Sequence, residues 1–120
     1  MAKGIIILSH GSRNSKSNHE FKQVVRSVKR DTSIENIRAA VLEFAEPQLE
    51  TVVNQMVNKE IGEIIILPLF LFAGYHVTKN IPDLVEDMKN KYPEVTFRTM
   101  KHIGADKSFI EMITAKMQQT

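Results

Sequence analysis

Short apolar runs alternate with amphipathic segments along the whole chain, and this rhythm predicts an α/β fold. Residues 4–8 and 64–72 are nearly continuous apolar runs rich in Ile. Such runs are typical of strands in a parallel sheet that helices cover on both faces. The predicted strands are residues 4–8, 37–44, 64–72 and 95–100. Four helices are predicted: the first ends near residue 30, the second opens at Glu46-Pro47 and closes at Gly62, the third runs from Ile81 to Tyr92, and the fourth begins near Lys107.

Four β-α repeats within 120 residues predict one domain spanning residues 1–120. The rhythm favours a flavodoxin-like three-layer sandwich, with a four-stranded parallel sheet of order 2-1-3-4 and helices on both faces. In such a sheet the connection direction reverses between strands one and three. Ligands bind in the crevice beyond the carboxyl ends of strands at that point.

Composition and charge exclude several kinds of site and partner. Apolar content of 42% and charged content of 25% are those of a globular domain, and the absence of Cys excludes disulfides and thiolate metal sites. The net charge of +2 comes from interspersed charges, so neither a nucleic-acid partner nor a membrane partner is predicted. The apolar run near the N-terminus spans only about five residues after Lys3, too short for a signal-peptide core or a membrane span, so we expect a cytoplasmic protein.

Two histidines and a carboxylate each fall at the carboxyl end of a predicted strand: His10, Glu43 and His76. In the predicted sheet order they converge at one edge, where they suit a divalent first-row metal with open coordination positions. Each residue also has a simpler interpretation, as a loop-capping histidine or a solvated carboxylate. Glu46 is the rival carboxylate, although we expect it to stabilise a helix N-terminus.

A small polar loop, SHGSR at residues 9–13, precedes the first helix. Its Ser12 and Arg13, together with Lys79 near the same rim, are candidates for binding anionic groups of a substrate. Solvated charge is the alternative for both basic residues. No glycine-rich dinucleotide or P-loop motif is present, and Met112 and Met117 fit a core stripe better than a cofactor site.

Three motifs in order resemble the class II tetrapyrrole chelatases, and most of all the short, single-module sirohydrochlorin chelatases of the CbiX type. They are SHGSR at 9–13, EFAEP at 43–47 and PLFLFAGYHVTKNIP at 68–82. The resemblance implies a chelatase-like fold, a homodimer, no organic cofactor, and ATP-independent insertion of Co²⁺, Fe²⁺ or Ni²⁺ into sirohydrochlorin. It also implies that His10 and His76 bind the metal and that Glu43 is a ligand or proton acceptor.

The resemblance leaves other interpretations of the same residues open. A histidine-rich stretch that stores metal in some short relatives is absent, since the chain has only four His. A non-catalytic metal-binding or metal-delivery module would use the same three side chains. A flavodoxin-like domain that holds a phosphate or another anion on residues 9–13 is a third possibility. Imidazole and carboxylate ligands accept cobalt, iron and nickel alike, so the ligand set does not select the metal.

Overall fold

One parallel sheet organises the computed structural model, which describes residues 2–120. Met1, part of the predicted 1–120 domain, lies outside the described residues. The strand order is β2-β1-β3-β4, which confirms the predicted 2-1-3-4 arrangement. The strands are β1 (Ala2–Ser9), β2 (Ile37–Val41), β3 (Ile61–Pro68) and β4 (Thr96–Thr99).

Helices cover both faces of the sheet, as predicted. One face carries α1 (Ser15–Asp31), and the other carries α2 (Leu49–Asn58) and α3 (Ile81–Lys91). A π-helical turn (His76–Asn80) leads directly into α3, and a 3₁₀ turn (Ile103–Ala105) precedes α4 (Lys107–Met117). No helix in residues 2–120 is both long enough and apolar enough to cross a membrane.

The alternation of side chains along β1 explains why the sheet is buried on both sides. Ile6 and Leu8 belong to the cluster under α2 and α3, whereas Ile7 belongs to the cluster under α1. Successive side chains of a strand point to opposite faces, so a continuous apolar run supplies both clusters. The same arrangement holds in β3, where Ile64 and Ile66 are fully buried against α2 and α3 and Leu67 packs against the cluster under α1.

The second and third predicted strands extend well beyond the observed carboxyl ends. The second strand ends at Val41 instead of residue 44. Phe44 adopts a left-handed conformation (φ 69°), so residue 44 cannot belong to a strand. The third ends at Pro68 instead of residue 72. Leu71 and Phe72 beyond it are apolar but exposed, so the apolar run there marks a surface loop and not a strand.

The second helix was also misplaced at both ends. It begins at Leu49 and not at Glu46-Pro47, because the Pro47 carbonyl accepts a hydrogen bond from Val41 N–H at 2.9 Å and joins this loop to the sheet. Glu46 is exposed and does not cap the helix, whose N-cap residue is Gln48. Gly62 lies inside β3, and the left-handed residue after the helix is Glu60 (φ 63°).

The C-terminal helix α4 stands apart from the core. It has no buried residue, and the prediction that Met112 and Met117 lie in a core stripe is wrong, since they are 51% and 62% exposed. The described chain measures 51 × 32 × 28 Å. With α4 unpacked in this way, a stripe of apolar residues lies on its surface: Phe109, Ile110, Ile113 and Met117.

Candidate metal centre

His10, Glu43 and His76 meet at the carboxyl edge of the sheet, as the sequence predicts. Their potential ligand atoms all lie within 4.8 Å of one another. His10 Nε2 is 2.9 Å from Glu43 Oε1, and the two imidazole ring centroids are 4.4 Å apart. We call these three side chains the metal trio.

Backbone hydrogen bonds hold the first two members of the trio together. Parallel pairing continues beyond β1 and β2, because Leu42 N–H donates to Ser9 O and Glu43 N–H donates to His10 O, both at 3.0 Å. Gly11 follows with φ 89°, a conformation that glycine adopts readily. A side chain at Gly11 would overlap the Glu43 carbonyl oxygen. A glycine is therefore needed for these two segments to approach so closely.

The third member of the trio comes from a helix and not from the end of a strand. The expected position of His76 directly after the third strand is wrong, since β3 ends at Pro68 and His76 opens the π-helical turn. That turn closes through a hydrogen bond from Ile81 N–H to the His76 carbonyl. Single π-helical turns occur frequently at functional sites. Here the turn places Asn80 beside His76, with Nδ1 of the histidine 2.9 Å from Asn80 Oδ1.

The hydrogen bonds of both imidazoles leave Nε2 as the nitrogen that could bind a metal. His10 Nδ1 lies 2.9 Å from the Gly11 carbonyl oxygen, and His76 Nδ1 faces the amide oxygen of Asn80. Both oxygens can only accept, so each Nδ1 carries the ring proton and each neutral ring keeps a lone pair on Nε2. Bonds of this kind orient the imidazole ligands of metal sites.

The contact between His10 and Glu43 requires a cation or a proton. With Nδ1 protonated, a neutral His10 ring and an ionised Glu43 present two acceptors to each other at 2.9 Å. A metal ion or a shared proton between these two atoms must offset the repulsion of their lone pairs. Imidazole and carboxylate ligands lie about 2.0–2.2 Å from a first-row ion such as zinc, so one ion spans ligand atoms up to about 4.4 Å apart. The trio could therefore close around one ion through small side-chain movements.

The trio is open to solvent. The His10 and Glu43 side chains are 38% and 46% exposed, and His76 is half-buried. Three protein ligands leave at least one position of a four-coordinate ion free. The arrangement can hold a divalent ion and offer it to a second ligand.

The other predicted site residues lie in different environments. Arg13 lies beside Phe44, the neighbour of His10: its guanidinium carbon is 4.7 Å from the centroid of the Phe44 ring. Ser12 is engaged within its own loop, where its hydroxyl accepts from Asn14 N–H at 2.9 Å. Lys79 pairs with Asp83 at 3.1 Å, with both side chains exposed. The binding of substrate by Ser12, Arg13 and Lys79 stays a prediction.

The hydrogen bonding of residues 12–18 argues against an anion-holding loop. Ser12 N–H donates to Asn18 Oδ1 at 3.0 Å, and Lys16 N–H donates to Asn14 Oδ1 at 2.9 Å. Phosphate binding at a helix N-terminus needs such N–H groups to be free. In this protein, side chains of the chain itself already accept from them.

Two residues at this site were missed by the sequence analysis. Asn80 orients His76, and the signal for it was the four-residue spacing that joins two side chains on one helical face. Because the helix was predicted to begin at Ile81, His76 and Asn80 were not recognised as lying on one helical face. Phe44, whose ring centroid lies 5.9 Å from that of His10, lies within the EFAEP motif but was taken for a strand residue, because it fitted the apolar alternation of a strand.

Comparison with known proteins identifies one matching family and several similar curated proteins. The sequence profile of the CbiX family matches residues 4–120. The chain is 27% identical over 117 residues to the chloroplastic sirohydrochlorin ferrochelatase of Arabidopsis thaliana, covering 98% of this chain and 52% of that protein. In three curated relatives the chain spans between 38% and 52% of the length, or about half.

Solved structures share the fold. A CbiX protein from Marinobacter aquaeolei superposes with a TM-score of 0.87 at 30% identity, covering 99% of this chain and 94% of that one. The sirohydrochlorin chelatase SirB from Bacillus subtilis subspecies spizizenii, in complex with cobalt, gives a TM-score of 0.88 at 26% identity. That match covers 99% of this chain but only 51% of SirB.

Proposed function

The chain belongs to the CbiX family, and we propose that it inserts a divalent metal ion into sirohydrochlorin or a similar tetrapyrrole without ATP. The observation that carries the proposal is the metal trio, in which two imidazoles and one carboxylate share an open edge of the sheet. The curated relatives named as sirohydrochlorin ferrochelatase and cobaltochelatase support it. Cytoplasmic location stays a prediction from the sequence.

The proposed reaction exchanges two protons for one metal ion. Nε2 of His10 and of His76 holds the incoming ion, and Glu43 completes the set of protein ligands. Two pyrrole N–H protons leave the macrocycle as four ring nitrogens replace these ligands, so the charge balances. Glu43 is the proposed acceptor of one leaving proton, and an imidazole Nε2 freed of the metal is the proposed acceptor of the other, because each ligand that loses the metal regains a free lone pair. Exchangeable N and O ligands allow this release, whereas a closed thiolate site would retain the ion.

Cobalt, iron and nickel are the proposed metal substrates, and the proposal needs no organic cofactor. Solved SirB structures carry cobalt or Fe³⁺. Affinity for an N/O site generally rises from Fe²⁺ through Co²⁺ to Ni²⁺ whichever protein supplies the ligands. The order of turnover rates therefore has to be measured.

The assay that tests the function is anaerobic metallation of sirohydrochlorin, followed by absorbance. Co²⁺, Fe²⁺ and Ni²⁺ are run in parallel with wild type, His76→Ala and no protein. We expect wild type to accelerate insertion of at least one metal, and His76→Ala to lose that acceleration while keeping its thermal stability. A folded wild-type protein that binds metal but accelerates no insertion would overturn the proposal and favour a metal-delivery module.

A second copy of the chain is the proposed partner. The apolar stripe of α4 lies uncovered, with Ile110 and Ile113 at 58% and 40% exposure. An isolated helix of eleven residues is marginal in water, so α4 is expected to gain stability by burying this stripe. Relatives about twice as long as this chain support a second module as the occupant.

The oligomeric state tests this partner directly. Ile113→Asp places a charge in the stripe, and Ala115→Asp places the same charge on the opposite side of α4, so the second variant is the control. We expect wild type and Ala115→Asp to have the mass of a dimer in analytical ultracentrifugation, and Ile113→Asp to have the mass of a monomer. A monomeric wild type, or a dimeric Ile113→Asp, would contradict the proposal.

A further inference from the structure

Phe44 combines three unusual properties at the edge of the metal trio. Its backbone is left-handed (φ 69°), its side chain is 47% exposed, and its ring lies beside both an imidazole and a guanidinium. A positive φ is uncommon for any residue other than glycine and is an outlier for a bulky one. The only other non-glycine residue with a positive φ in residues 2–120 is Glu60, in the turn after α2.

Core packing does not account for this conformation. Phe44 belongs to neither of the two buried clusters that the described residues form. A glycine or asparagine would adopt the same backbone more easily. Strained residues of this kind cluster at functional sites, where the surrounding structure holds them in place. The feature that Phe44 contributes and a glycine would not is its exposed aromatic ring.

The neighbours of the ring indicate the chemistry of its ligand. The ring centroid lies 5.9 Å from that of His10, and the Arg13 guanidinium lies over the ring, its central carbon 4.7 Å from the centroid. Among residues 2–120, Arg13 forms no ion pair. A stacked guanidinium keeps N–H donors for a carboxylate at its edge. An aromatic face beside a carboxylate-binding edge fits a planar, apolar ring system with acidic substituents.

We propose that Phe44 is a substrate-contact residue that seats the tetrapyrrole over the metal trio. Its ring lies against the macrocycle, and Arg13 beside it binds a peripheral carboxylate. A planar macrocycle is wider than the 5.9 Å between the Phe44 and His10 ring centroids, so one molecule can contact the ring and reach the bound metal together. This inference rests on the proposed chelatase function and adds a residue that determines affinity for its substrate.

Three substitutions separate the ring from the backbone. Phe44→Gly suits the left-handed conformation and removes the ring, Phe44→Leu keeps apolar bulk without an aromatic face, and Phe44→Tyr keeps the ring. Binding of metal-free sirohydrochlorin is measured by its fluorescence, and cobalt binding is measured separately by titration. Metallation kinetics then supply KM and kcat for each variant.

We expect Phe44→Gly to remain folded and to raise the dissociation constant for metal-free sirohydrochlorin about tenfold, a typical effect of losing one aromatic stacking contact. KM rises in parallel, and Phe44→Leu shows a smaller rise. Phe44→Tyr stays within about twofold of wild type. Because the metal trio is intact, cobalt affinity and kcat at saturating tetrapyrrole change by less than about twofold in all three variants.

Two results would overturn the inference. One is tetrapyrrole binding by Phe44→Gly that matches wild type. The other is an equal loss of cobalt affinity, which would mean that Phe44 only positions the trio. If wild type binds the tetrapyrrole through Phe44 yet does not accelerate metallation, the inference stands and the chelatase proposal fails. A wild type that does not bind the tetrapyrrole contradicts both.

Discussion

Replacing Gly11 by alanine should damage the metal trio through the backbone alone. An L-residue in the left-handed conformation costs about 1–2 kcal/mol, and Gly11 has φ 89°. The new methyl group also overlaps the Glu43 carbonyl oxygen, so the backbone must separate and the adjoining hydrogen bond weakens, at about 0.5–1.5 kcal/mol. The lower entropy of the unfolded alanine chain offsets about 0.4–1 kcal/mol of this.

Together these effects lower the free energy of unfolding by roughly 1–3 kcal/mol, which lowers the Tm by about 4–12 °C for a chain of this size. Because His10 and Glu43 move apart, cobalt affinity should fall about tenfold or more, as it does when groups that orient metal ligands are lost.

Gly74→Ala is the matched control, since a methyl group there meets nothing within 4 Å. It should change the free energy of unfolding by less than about 0.5 kcal/mol. Thermal denaturation and cobalt titration of both variants provide the test. A Gly11→Ala protein that melts and binds cobalt as Gly74→Ala does would refute the reasoning.

Three further predictions concern side chains. Asn80→Ala should lower cobalt affinity about 10- to 100-fold by freeing the second histidine of the trio; an unchanged titration would contradict this. Glu43→Gln should weaken cobalt binding whereas Glu46→Gln should not, because only Glu43 belongs to the trio; the opposite order would assign the site to Glu46. Lys91 donates a hydrogen bond to Glu50, and this bond, with electrostatic interactions from Tyr92 and Glu50, raises the pKa of Lys91 above its usual 10.5. The pair therefore stabilises the fold at neutral pH, and its contribution fades as the pH rises past that pKa. NMR titration of Glu50→Gln should show a lower Lys91 pKa, and an unchanged value would exclude the pair as the cause.

The sheet was predictable because burial on both faces leaves a simple pattern. The run of Ile in β1 and β3 and the helical spacing between strands define the number and order of elements. His10 follows its strand directly, so its place at the sheet edge was predictable as well. The strand prediction fails where apolar residues are exposed, as Leu71 and Phe72 are. Periodicity reports apolar character and not burial.

The details of the site depend on local conformations that periodicity does not carry. Glu43 and the left-handed Phe44 lie in the loop after β2, and no turn residue such as Gly or Asn marks that position. The π-helical turn likewise starts five residues before the expected helix, which concealed the pairing of His76 with Asn80. The choice between the two carboxylates could not be made from sequence, because it depends on the path of this loop.

The apolar stripe of α4 shows a different limit. Its helical spacing was correctly recognised, but spacing alone does not say whether a stripe packs within its own chain or on another. Ile110 and Met117 are exposed in the single chain. The apolar spacing of α4 is therefore the same as that of a core helix, although α4 projects from the fold.

The proton NMR spectrum of the Co²⁺-loaded protein tests the metal trio most directly. Cobalt shifts the imidazole protons of its ligands far outside the normal range, and hydrogen bonds to Gly11 O and Asn80 Oδ1 protect both Nδ1 protons from exchange. The account predicts two such exchangeable resonances in wild type. His10→Ala should remove one and His76→Ala the other. A cobalt complex with no shifted imidazole N–H, or with resonances that survive both substitutions, would contradict it.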